Sequence, residues 1–139
     1  MNYSQEALKQ AKKLKGKIEV ISKIKIKNKH DLATAYTPGV AAVSLEIAKN
    51  PSQVFDLTIK SNTVAVVSDG SAVLGLGNIG PEAALPVMEG KCLLFRELAQ
   101  VNAIPVVLAT QDVEEIISVV KAIAPGFGGL NLEDISAPR

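Results

Sequence analysis

The sequence predicts an α/β fold: a small parallel sheet with flanking helices, preceded by a helical, lysine-rich N-terminal arm. Three observations carry this. Runs at Thr63–Ser68, Ile104–Ala109 and Gly129–Leu132 have the length of buried strands, and the first two are rich in β-branched residues. Stretches of helical period separate them, so strand, helix, strand, helix, strand follow in turn, the pattern of parallel crossovers. Apolar residues make up 47% of the chain and include no Trp; a core of Val, Ile, Leu and Ala suits helices on a sheet better than an all-β sandwich.

The elements follow in order. Ser4 is placed to cap a first helix, with Glu6 in its opening turn, lysines in its last turn and Gly16 as its stop. Residues 18–27 alternate, with Ile18, Val20, Ile24 and Ile26 set among Lys23, Lys25 and Lys27, which predicts a half-exposed strand or an extended arm. Thr37-Pro38-Gly39 marks a turn, after which Val40–Lys49 reads as a helix ended by Asn50-Pro51. Asp69-Gly70 turns out of the first strand into a glycine-rich loop, Gly75–Gly80. Pro81 suits the first turn of a helix to about Val101, with a kink or break expected near Lys91 from Pro86 and Gly90. Asp112 and Glu115 have capping-box spacing before a helix to about Ile123, whose apolar face holds Ile116, Val119, Val120 and Ile123.

A chain of 139 residues is enough for one domain, burying roughly 65–70% of its unfolded surface. No apolar run approaches the roughly 20 residues that span a bilayer, so a membrane is not an expected partner. No signal-peptide pattern stands at the start, and the lone Cys92 cannot form an internal disulfide; a cytoplasmic protein is expected. The net charge of +1 hides an asymmetry, because nine of the fifteen basic residues fall within residues 1–30. That arm contains no Arg and Tyr3 as its one aromatic, which favours a solvated face or an acidic neighbouring subunit over nucleic acid.

Several residue types invite chemistry. Lys91 lies among Met88, Cys92, Leu93 and Leu94 in what reads as a buried helix. It either snorkels to water or is held desolvated, where a lysine loses its proton more easily and can act as a base. Glu133 and Asp134 are adjacent carboxylates at the carboxyl end of the third strand, where ligands of α/β sheets collect. They are either an exposed helix start or oxygen ligands for a hard cation. Gly75–Gly80 matches G-x-G-x-x-G without a full strand before it, so a tight turn, or a loop whose amides face a carboxylate, competes with a dinucleotide site. Tyr36 is a packed ring or a proton donor. His30 reads as a surface residue and Cys92 as a small buried hydrophobe.

Taken together, Tyr36–Ala41, Val64–Gly70, Val73–Pro81, Pro86–Lys91 and Asn131–Ile135 resemble the N-terminal domain of a bacterial malic enzyme, over about residues 17–139. The resemblance implies oxidation of malate and its decarboxylation to pyruvate, with NAD or NADP and with Mg²⁺ or Mn²⁺. It implies Lys91 as general base, Tyr36 as the acid that protonates the enolpyruvate carbon, and Glu133 and Asp134 as two of three carboxylate metal ligands. It divides the chain into a basic arm, 1–30, and a substrate and metal domain, 31–139, with the NAD(P)-binding domain and the third ligand absent from this chain. No cofactor-binding residue is therefore expected here. It also implies a homodimer with exchanged arms. Larger members carry an arginine just after the Asp-Gly turn that holds the substrate carboxylate, where this sequence has Ala72. A catalytically inert binding or oligomerisation module derived from the family is the alternative.

Overall fold

The computed structural model describes residues 2–138. The outer limits expected for the arm and the domain fall on Met1 and Arg139, outside those residues. In chain order the elements are α1 (Tyr3–Leu14), α2 (Lys29–Ala35), α3 (Val40–Lys49), the short α4 (Val54–Leu57), β1 (Thr63–Ser68), α5 (Pro81–Ala99), β2 (Asn102–Val107), α6 (Val113–Ile123) and β3 (Gly129–Leu132). They form two compact units. One joins the chain up to Glu19 with everything from Asn62 onward, and the other is Val20–Ser61.

In the first unit the three strands lie in the order β2-β1-β3, all parallel, with Val66 of β1 opposite Pro105 on one side and Asn131 on the other. Side chains alternate across a strand, and here the alternation sorts two cores. Val66 packs with Met88, Cys92 and Ala103 under α5, while Ala65 and Val67 pack with Leu108 and Ile116 under α6. The crossovers β1→β2 and β2→β3 run in opposite directions across the sheet. Crossovers of one hand then place their helices on opposite faces, which is the arrangement found.

Local chemistry explains most boundaries. The α6 N-cap is Asp112, whose side chain accepts from the Glu115 N–H at 2.9 Å. The reciprocal half of the capping box is rerouted: Glu115 accepts from the Thr110 hydroxyl, and Thr110 Oγ1 accepts from the Asp112 N–H at 3.1 Å. α1 starts two residues earlier than expected, because Asn2 and not Ser4 caps it, accepting from the Gln5 N–H. β2 runs 102–107, two residues ahead of the expected run, since its register starts with Asn102 opposite Thr63. α5 is continuous through Pro86 and Gly90, without the expected break. Pro86 sits in the second turn, where its missing N–H costs one bond, to the Glu82 carbonyl.

α5 also corrects the picture of a buried helix. Only Ala84, Met88 and Cys92 are buried, one stripe at four-residue spacing, while Val87, Leu94 and Leu98 are exposed. Cys92 is 1% exposed, and burial together with the nearby Glu89 charge pushes its thiol up to about 11. The thiolate is the reactive form, so Ellman's reagent at pH 8 is expected to label the folded chain about a hundredfold or more slowly than the unfolded chain. Labelling at equal rates would contradict this packing.

The second unit contains α2, α3 and α4, and none of its described residues is fully buried. α2 is capped by Asn28, which accepts from the Asp31 N–H at 2.9 Å, while Asp31 accepts from the Lys27 N–H at 2.9 Å. No ladder forms over 18–27, which bends at Lys23-Ile24 where the Ser22 hydroxyl accepts from the Ile24 N–H, because alternation alone makes a strand only when a neighbouring edge is paired. The turn after Tyr36 requires Gly39, since a Cβ there would lie 2.5 Å from the Thr34 carbonyl oxygen. Tyr36 accepts at its carbonyl from the Val40 N–H at 2.7 Å, so it stands at the α2–α3 corner.

Candidate active site

The chemistry-bearing residues of the first unit meet where α5 passes the carboxyl end of β3. Lys91 Nζ and Glu133 Oε2 form an ion pair at 3.2 Å, with side chains 37% and 28% exposed. Lys91 is thus partly open to water, the first of the two readings its apolar neighbours allow. Glu133 extends the β3 ladder by one bond, its N–H donating to the Val67 carbonyl at 2.9 Å. The chain then turns at Asp134, whose φ of 52° lies in the left-handed region that Asp tolerates better than most residues. The Asp134 carbonyl accepts from the Ala72 N–H at 3.0 Å, and Ser71 Oγ accepts from the Ser136 N–H at 2.8 Å. Ala72, where the resemblance placed an arginine in larger members, therefore works through its backbone, anchoring the acidic turn.

Partial burial and the neighbouring Glu133 charge raise the Asp134 carboxyl above its ordinary 3.8, and Lys91 partly offsets them. A carboxylate whose folded pKa is raised binds more protons folded than unfolded. Its contribution to stability therefore falls as pH climbs from the unfolded value through the raised one. Asp134→Asn, which keeps the left-handed backbone acceptable, is expected to stabilise the metal-free chain at pH 7. The gain should be no more than about 1 kcal/mol, because solvent screens so accessible a group. It should vanish near pH 3, and urea melts at the two pH values check the sign.

Two carboxylates and one amine leave a net negative charge, and hard oxygen donors suit Mg²⁺ or Mn²⁺. The donor set fits such an ion, though among the described residues no third His, Cys, Asp or Glu joins the pair. Beside the pair, Lys91, Leu94, Phe95 and Ala99 line a groove along α5.

The glycine loop is a tight turn. Val73 and Gly77 form an antiparallel bridge, Gly75, Gly77 and Gly80 have positive φ, and the N–H groups of Ile79 and Gly80 both donate to the Gly70 carbonyl. No strand runs directly into Gly75, since β1 ends at Ser68, unlike a dinucleotide fingerprint. Asn78 and Gln111 exchange two amide hydrogen bonds, of 3.0 and 2.9 Å, tying this loop to the one after β2.

Tyr36 belongs to the other unit and is 65% exposed, so it is not a packed ring there. His30 is exposed, as expected.

A profile of the malic enzyme N-terminal domain matches residues 15–139. The chain belongs to the malic enzyme family. This malic enzyme domain is 66% identical over 124 residues to the NAD-dependent malic enzyme of Geobacillus stearothermophilus, covering 89% of the chain and 26% of that relative. It is 54% identical over 139 residues to the bifunctional malic/malolactic enzyme of Bacillus subtilis, covering 100% of the chain and 34% of that relative. The crystal structure of the NAD-dependent malic enzyme of Thermotoga maritima superposes with a TM-score of 0.92 at 52% identity, over 95% of this chain and 35% of that one. Other relatives, from Haemophilus influenzae and Escherichia coli, are named NADP-dependent malic enzymes. The malic enzyme domain thus spans about a third or less of these relatives' length.

Sequence reasoning missed two polar residues of the domain. Glu89 accepts from the Lys17 N–H at 2.8 Å and so fixes the exit from α1. Asn131 keeps a buried Oδ1 without a hydrogen-bond partner, while its Nδ2 donates to the Leu132 carbonyl at 3.3 Å. An orphaned buried acceptor costs about 1–3 kcal/mol. Its signal was the two-residue spacing to Glu133, which puts both on one strand face.

Proposed function

We propose that this chain is the substrate- and metal-side domain of an NAD- or NADP-dependent malic enzyme, which oxidises malate and releases CO₂ to give pyruvate. The observation that supports it most is the Lys91–Glu133 ion pair beside Asp134, an amine and two carboxylates gathered at a strand end. Lys91 acts as the general base, taking the proton of the malate C2 hydroxyl; a bound nicotinamide would supply the acceptor for the C2 hydride. Tyr36 acts as the acid, giving a proton to C3 once the C3–C4 bond has broken and CO₂ has left. Glu133 and Asp134 would hold Mg²⁺ or Mn²⁺, which when bound polarises the C2 oxygen of the substrate. The pairing with Glu133 orients the Lys91 amine towards the same end of the sheet.

Residues 1–30 form the basic arm and 31–139 the substrate and metal domain. The nicotinamide is bound by residues outside this chain. The arm crosses to a second copy in a homodimer and carries Tyr36 to the partner subunit's Lys91. No helix among the described residues is long and apolar enough to cross a membrane, and a cytoplasmic setting fits that.

The test uses the full-length protein. Malate with Mn²⁺ should reduce NAD or NADP and yield pyruvate. Mixed dimers of Tyr36→Phe with Lys91→Ala should regain activity that neither variant has alone. Failure of the mixture would sink the shared site, and a chain that binds neither Mn²⁺ nor malate would favour the inert assembly module.

A further inference from the structure

We propose that Asn131 is a positioning residue for Lys91: its side-chain oxygen receives the lysine amine when Glu133 turns to another cation. The inference rests on the reading of Glu133 as a metal ligand and of Lys91 as the base.

Three observations carry it. Asn131 is opposite Val66, whose side chain lies in the core under α5, so Asn131 projects to the α5 face of the sheet. Glu133, two residues on, keeps the ladder and meets Lys91 of α5 on the same side. Asn131 Oδ1 is buried without a hydrogen-bond partner. Flipping the amide would not relieve it, because Nδ2 already donates to the Leu132 carbonyl and a flip would set two acceptors face to face.

Glu133 cannot serve a metal ion and an ammonium group equally. Once its charge is shared with a divalent cation, the lysine loses attraction on that side and meets repulsion from the ion. The unused neutral acceptor one strand repeat away on the same face is then open to it. Positions two apart on a strand are about 7 Å apart, a span that the flexible four-carbon stem of lysine covers by rotamer change. The orphaned oxygen gains the partner it lacks. The amine stays anchored beside the metal pair instead of swinging into water, which is what a base awaiting a hydroxyl proton requires.

The experiment follows the Lys91 ammonium by NMR in the isotope-labelled chain. In metal-free Glu133→Ala, a through-hydrogen-bond coupling from Lys91 Nζ to Asn131 Cγ is expected. Exchange of the ammonium protons with water should be roughly tenfold slower than in Glu133→Ala/Asn131→Ala. Asn131→Asp in the Glu133→Ala background restores an acceptor and should restore the slow exchange. A merely structural asparagine would leave exchange equal in all three, and that result overturns the proposal. In the unmutated chain, titration with Mg²⁺ should move the coupling from Glu133 Cδ to Asn131 Cγ. Bound Mg²⁺ with the coupling unmoved also overturns it. If Mg²⁺ does not bind but Glu133→Ala shows the Asn131 coupling, the metal reading fails and the Asn131 assignment stands.

Discussion

Lys91→Ala in the full-length protein is expected to lower kcat about 10²- to 10⁴-fold, the range a positioned acid or base supplies. The fold should hardly notice. Lys91 and Glu133 are both partly exposed, and pairs of this kind contribute about 0–1 kcal/mol. The substitution also frees Glu133, so affinity for Mn²⁺ should stay level or rise. A loss of turnover with intact folding and undiminished metal binding separates a base from a structural lysine. Turnover within a factor of a few of the unaltered protein would remove Lys91 from the chemistry.

Gly70→Ala is expected to cost on the order of 3 kcal/mol or more. A Cβ at residue 70 would lie 2.1 Å from the Gly80 carbonyl oxygen, and the backbone there has a φ of +68°. The left-handed conformation alone costs a non-glycine residue roughly 1–2 kcal/mol, and a clash with backbone adds overpacking strain of similar size. The Gly70 carbonyl also receives the N–H groups of Ile79 and Gly80, which close the loop leading into α5. Domains of this size have roughly 5–15 kcal/mol in hand, so a fall in Tm of about 10 °C or more is expected. Gly75→Ala is the control, since it shares the positive φ but meets nothing within 4 Å. Equal losses in the two variants would show that the close approach at Gly70 is not what matters.

Some of this was legible because local and tertiary signals agree. β1 and β3 fall where the sequence placed them, and α6 begins at the Asp112 cap with its apolar face inward. α2 was missed although Asn28 and Asp31 have cap spacing, because no apolar period marks the segment and its residues stay largely exposed. The alternation of 18–27 fits either a strand or an arm, and only the pairing of an edge decides between them. The exposure of Lys91 stays one of two alternatives in the sequence for a different reason. Val87, Met88, Leu94 and Phe95 stand three and four residues from it, so which apolar stripe meets the sheet is set by packing, and Met88 and Cys92 won. At the site, Glu133 and Asp134 could be placed by the rule for strand ends. Asn131 needed a face assignment that only the register supplies. The linking of Tyr36 to the other site residues came from resemblance and not from spacing.

The claim beneath all of this is that Glu133 and Asp134 form one cation site next to the Lys91 amine. Titration of Mn²⁺ into the chain, with the free ion followed by electron paramagnetic resonance, measures it directly. The account predicts saturable binding of one ion, lost in Glu133→Gln and in Asp134→Asn and retained in Glu82→Gln on the first turn of α5. Binding that ignores the first two substitutions, or that fades equally with all three, would contradict it.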